Sequence, residues 1–170
     1  MKNFYSFILF FTALVLHSQN PPLPFETPGE GSWTAPCDVT SVTVELWGAG
    51  GAGAVVSGNG SSSSMRGGGG SGGGFVKATI AVTPGATYKY SVGGGNVDRN
   101  GESSWFGTSN TAITLLAIGG NKASVNSAAG GSAPTLGNVG GSISTFGGSG
   151  GIASSTASGG GGSSAGVKKI

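Results

Sequence analysis

The stretch VTVELWGAGGAGAVV, Val42 to Val56, runs from an alternating strand straight into a glycine cluster. Val42, Val44 and Leu46 fall on one face and Thr43, Glu45 and Trp47 on the other, so 39–47 reads as a half-buried strand. Gly48, Gly50 and Gly53 then stand at the G-x-G-x-x-G spacing of a dinucleotide-binding turn. That turn needs a helix after its third glycine to carry the pyrophosphate, and an acidic residue about 20 positions on for the ribose. Here the chain enters SGNGSSSSMRGGGGSGGG, which cannot make the helix, and no Asp or Glu lies between Glu45 and Asp98. Both requirements fail. A strand leaving a small sandwich into a glycine-rich loop explains the same residues without a ligand.

Working outward, FVKATIAV places Val76, Ala78, Ile80 and Val82 on one face, and TYKYSV aligns Tyr88, Tyr90 and Val92. Between them Thr83-Pro84-Gly85-Ala86 has Pro at the second and Gly at the third position of a type II turn, which predicts a hairpin. SSWFG and TAITLLAI add two short strands, with Asn100-Gly101 as a turn ahead of them. Glycine interrupts every helical pattern, at about 1 kcal/mol each relative to alanine, so helix is set aside. The expected fold is all-β: a small antiparallel β-sandwich over 32–118, carrying a glycine-rich insert at 48–74.

Residues 1–18 pair Lys2 with an apolar run from Phe4 to Leu16 and read as a secretory signal peptide, followed by a Pro-rich linker at 19–31. The expected location is therefore secreted or at the cell surface, with no stable membrane insertion once the signal is removed. A formal charge of +2 creates no field that would attract nucleic acid. Cys37 is the single thiol, so no intramolecular disulfide can form; burial as a small apolar residue is favoured over pairing with another chain.

The segment 119–170 repeats glycine pairs or clusters at Gly119-Gly120, Gly130-Gly131, Gly140-Gly141, Gly150-Gly151 and Gly159 to Gly162. A flexible linker and an ordered array of extended, three-residue-per-turn runs both fit this spacing. The recurrent Ile113, Leu136, Ile143, Phe146 and Ile152 favour the array, as its anchors, because a linker has no use for them.

Chemistry is sparse. Once the signal is removed the chain has no histidine, so nucleophilic triads lack an imidazole base, and His/Cys zinc clusters are absent. Asn96 to Glu102, NVDRNGE, carries oxygen donors but not the density of a calcium loop, and reads as a polar turn. No catalytic, cofactor-binding or metal-binding residue is assigned, and no cofactor. Trp33, Trp47 and Trp105 suit sugar stacking, but packing over glycine backbone is the favoured role. Arg66 is read as solubilising.

The strings SWTAPCDVTSVTVELWGAGGAG, GGGGSGGGFVKATIAVTPGATYKYSVGGG and GESSWFG resemble the glycine-rich domain of secreted bacterial surface proteins and of some phage tail-tip adhesins, over about residues 25 to 166. The resemblance implies an all-β framework whose glycine runs pack as polyglycine II helices, expected here in the C-terminal half, and present a binding surface. Asp38 departs from the small residue and glycine common in relatives, and the chain stops at VKKI, as expected of a short version or a piece of a longer adhesin. The expected function is a non-catalytic structural or adhesion module binding a carbohydrate or cell-surface polymer through glycine-rich loops, with self-association. Binding of ice or polymer surfaces is the alternative, and an extracellular hydrolase comes last.

Overall fold

The computed structural model describes residues 25–55, 67–124, 129–134, 139–154 and 159–162. The signal segment, Arg66 and Leu136 lie outside the described residues. Seven strands form: β1 (Gly29–Thr34), β2 (Ser41–Trp47), β3 (Phe75–Ala81), β4 (Thr87–Val92), β5 (Ser104–Gly107), β6 (Ile113–Ala117) and β7 (Ile143–Thr145). Among the described residues there is no helix. Two antiparallel sheets pack together, ordered β1-β4-β5-β6 and β2-β3-β7, and the fold is the expected small β-sandwich.

Alternation decides which faces meet. Val44 and Leu46 of β2, with Val76, Ala78 and Ile80 of β3, turn inward onto Phe106, Leu115 and Ala117 of the other sheet. Tyr88 stacks on Phe106 at 5.5 Å and Trp33 tilts against both, so Trp33 packs on the aromatic residues of the sandwich. Gly31 lies opposite Tyr90, whose ring occupies the place a side chain at Gly31 would take, and Phe25 stacks on that ring at 4.3 Å. Each such aromatic contact contributes about 0.5–1.5 kcal/mol beyond its buried area.

The turn at Thr83–Ala86 forms as its residues require, with Gly85 at φ 76° and Ala86 N–H donating to Thr83 O at 3.0 Å. The expected hairpin does not. β3 pairs with β2 and β7, while β4 pairs with β1 and β5, so the turn carries the chain from one sheet to the other as an arch. Gly85 N–H donates to Ala35 O and Ala35 N–H to Ala86 O, which ties the arch to the end of β1 and holds the two strands apart. β1 begins at Gly29, inside the stretch taken as linker, and β7 lies within the glycine-rich third.

Cys37 is exposed, contrary to the burial expected of it. Val39 N–H donates to Pro36 O, and the turn so closed lifts residues 37 and 38 away from the sandwich end.

Candidate binding surface of the glycine runs

Beyond the sandwich, the glycine segments leave and return as extended runs joined by main-chain hydrogen bonds. Run 67–74 is their centre: Gly68 to Gly74 are all buried although only Ser71 among them has a side chain. Its residues bond to five neighbouring runs, and positions three apart face the same neighbour, as three residues per turn demands. Ser71 and Gly74 donate to Asn121 and Ile118, while Gly68, Ser71 and Gly74 accept from Ala54, Gly51 and Gly48. Gly69 and Gly72 donate to Gly151 and Gly148, and Gly69 accepts from Gly131. Gly67 and Gly70 accept from Gly159 and Gly162.

Five runs therefore flank 67–74: 48–54, 118–123, 129–131, 147–151 and 159–162. Consecutive members of this ring also bond to one another: Gly120 and Ala123 donate to Ala49 and Ala52, Gly150 to Gly131, and Gly151 to Gly160. Asn121 Nδ2 reaches Ser132 O at 3.0 Å and joins 118–123 to the run beside it. This is the hydrogen-bonding pattern of polyglycine II helices. It was expected in the C-terminal half, yet its centre lies in the insert at 48–74. Segments from both sides of residue 118 interleave in it.

Close approach explains the glycines. A Cβ on Gly48 would overlap the Ile118 carbonyl, and one on Gly51 the Asn121 carbonyl, each closer than the 3.0 Å that real side chains respect. Gly50 and Gly53 are exposed, and a Cβ there would meet nothing nearer than 3.6 and 3.4 Å. In run 48–54 the steric requirement therefore falls on every third residue, and the G-x-G-x-x-G spacing is incidental. Where the array has room for one hydroxyl it uses Ser71, whose Oγ accepts from Asn121 N–H at 2.7 Å and donates to Asn121 O at 3.3 Å. Glycine counting missed Ser71 and Asn121; the lone serine inside GGGGSGGG was the signal for the first.

The flank formed by 93–102 is polar. The expected turn at Asn100-Gly101 lies instead at Val97-Asp98, with Asp98 at φ 56°, a conformation that Asp tolerates better than most residues. Gly101 is taken up by the array, donating to Gly120 O and packing on the Ala49 carbonyl. The oxygens once weighed as calcium ligands serve the protein itself. Lys122 Nζ bonds Asp98 Oδ1 at 3.1 Å and Asp98 O at 3.0 Å, and Asn100 Oδ1 accepts from Lys122 N–H. The Gly94 N–H and the Asn96 amide donate to the Glu102 carboxylate and, with Arg99 nearby, hold its pKa below the usual carboxylate range. Among the described residues no three His, Cys, Asp or Glu side chains gather where a metal ion could sit.

The apolar residues taken as anchors of the array mostly face outward: Ile152 is 77% exposed, and Ile143 and Phe146 are exposed too, while Ile113 is half-buried on β6. The array needs no anchors because main-chain bonds hold it. Trp47 remains half-exposed beside Phe75 at 4.9 Å, and Trp105 is half-buried on β5.

This arrangement agrees with the comparison of the chain with family models, in which the glycine-rich domain matches residues 26–169. The chain belongs to the glycine-rich domain family. Comparison with curated proteins and with solved structures finds no match. In this glycine-rich domain the runs 48–54, 118–123 and 147–151 lead away from the sandwich, and 67–74, 129–131 and 159–162 lie beside them as the returning members.

Proposed function

We propose that this glycine-rich domain is a non-catalytic structural and adhesion module, secreted or held at the cell surface as in the bacterial surface proteins and phage tail-tip adhesins it resembles, and that it binds a carbohydrate or cell-surface polymer through its glycine-rich loops. One observation carries the reading: runs 48–54, 118–123 and 147–151 and runs 67–74, 129–131 and 159–162 are joined by main-chain hydrogen bonds into one bundle beside the sandwich. A bundle of that kind costs little conformational entropy when its loops meet a ligand, because the runs that hold them are already ordered. Low charge suits neutral sugars. The alternative of ice binding has less support, since the exposed threonine pairs Thr34–Thr87 and Thr43–Thr79 lie on different sheets and form no regular plane.

The test is a glycan and polymer array probed with the secreted protein, beside a variant carrying Gly58→Val and Gly60→Val in the 56–66 connector. The expected result is retention on at least one glycan or polymer, lost in the variant at unchanged melting temperature. Absence of binding, or equal binding by the variant, overturns the proposal, and thermal hysteresis in its place would favour the ice-binding alternative.

A further inference from the structure

The outer face of sheet β2-β3-β7 carries an indole, an ion pair and hydroxyls in successive rows. Val44, Leu46, Val76, Ala78 and Ile80 turn to the core, so the residues alternating with them turn to water. The strand register then sets the rows. Thr43 faces Thr79, with their hydroxyls 2.8 Å apart. Glu45 faces Lys77, which donates to its carboxylate, and Ile143 lies on the far side of Lys77. Trp47 faces Phe75. Successive rows stand about 7 Å apart along the strands. Phe75 is buried and supports the indole from one side at 4.9 Å, while Trp47 itself stays 49% exposed. Leaving that surface in water forgoes about 25 cal/mol for each Å² that packing would have removed. Apolar surface held exposed and rimmed by polar side chains marks a binding site.

The chemistry of these rows selects an uncharged sugar. The face of an indole is the negative part of its quadrupole and attracts weakly positive C–H bonds. A pyranose whose hydroxyls are all equatorial offers such bonds on both faces of its ring and directs its hydroxyls outward around the rim. A ring laid on Trp47 carries its rim hydroxyls toward the next row, where the Glu45 carboxylate accepts and the Lys77 ammonium donates. Both of these side chains are 39% exposed while bonded to each other, and hydrogen bonds to charged groups are the stronger kind. Their charges cancel, and the other strand positions of this face are uncharged, so the face favours neither an anion nor a cation. The ion pair also separates Trp47 from Ile143, which denies the face the continuous apolar centre of a protein–protein contact. We propose that Trp47, Glu45 and Lys77 form a sugar-binding platform on the outer face of this sheet, and that its ligand is an uncharged polysaccharide of equatorially linked, equatorially substituted pyranoses. The platform is separate from the glycine-rich connectors, and its binding does not depend on theirs.

Titration of the secreted protein with cellohexaose, followed by calorimetry and by tryptophan emission, tests the platform. The expected result is saturable binding with a blue shift of the emission. Trp47→Ala should weaken it about tenfold or more, and Trp47→Phe, which keeps a smaller ring beside Phe75, should weaken it less. Lys89→Ala, exposed on the other sheet, and the double substitution Gly58→Val and Gly60→Val should leave it unchanged. Should Trp47→Ala lower the melting temperature, Glu45→Ala decides: it breaks an exposed pair at little cost to folding and should weaken binding about threefold or more. Absence of saturable binding up to the solubility of the sugar overturns the proposal, as does binding that Trp47→Ala and Glu45→Ala leave intact. Cellohexaose binding that is lost in the glycine variant but kept in Trp47→Ala overturns it and leaves the glycine-loop reading standing. A dimer abolished by Trp47→Ala, in place of sugar binding, assigns the face to a second copy and overturns it as well.

Discussion

The sandwich and the glycine bundle are two solutions to the same problem, that of making an interior. In the sandwich, Val76, Leu115 and Phe106 fill space with side chains and remove apolar surface from water, at about 25 cal/mol for each Å². In the bundle, Gly68 to Gly74 are just as hidden, but what they bring together is peptide groups, and the cohesion comes from hydrogen bonds of about 1 kcal/mol net apiece. The sandwich tolerates a smaller side chain as a cavity. The bundle tolerates no side chain at all wherever two backbones touch.

That contrast breaks most sharply at one pair of neighbouring glycines. Gly48→Ala drives a methyl into the Ile118 carbonyl, with backbone on both sides and nothing flexible to yield, and should cost about 4 kcal/mol or more. Gly50→Ala, two residues on and open, should be neutral or stabilise by up to about 0.5–1 kcal/mol, because alanine narrows the unfolded ensemble. Denaturant titration of the two variants measures both; equal effects would refute the three-residue rule. In the sandwich, Leu115→Ala at a 1% exposed position should cost about 2–5 kcal/mol and leave the array's amide protection in place.

Smaller effects sharpen the picture. Ser71→Ala removes the hydroxyl that serves Asn121, and should cost about 1–3 kcal/mol with faster exchange of the Asn121 amide. The smallest concerns Glu102. Its carboxyl is held low in the folded state, so its contribution is present above the unfolded pKa and is lost as pH falls through the folded one. Wild type should therefore melt slightly above Glu102→Gln at neutral pH, and the gap should close on acidification.

Much of the sandwich was legible in the chain. The alternation of Val42, Val44 and Leu46, and of Val76, Ala78 and Ile80, is a local property that survives into β2 and β3. Partner choice is not local. The Pro84-Gly85 turn is written in four residues, but whether it closes a hairpin or an arch depends on Ala35, fifty residues away. For the bundle, glycine content announced close approach without its register. The periodicity of three is set by which neighbour each peptide faces, and a glycine run carries no side chains to record it. The apolar residues scattered through 119–170 misled for a related reason: in a protein whose second interior is main chain, an isoleucine such as Ile152 has no pocket waiting for it.

An interior built of peptide groups also has a thermal signature. Exposing apolar surface raises the heat capacity on unfolding and exposing polar surface lowers it, with about 12–15 cal/mol/K per residue as the usual balance. Because run 67–74 and its neighbours hide amides where most domains hide hydrocarbon, calorimetry should return a value beneath that range, and a shallower stability curve that holds its height far into the cold.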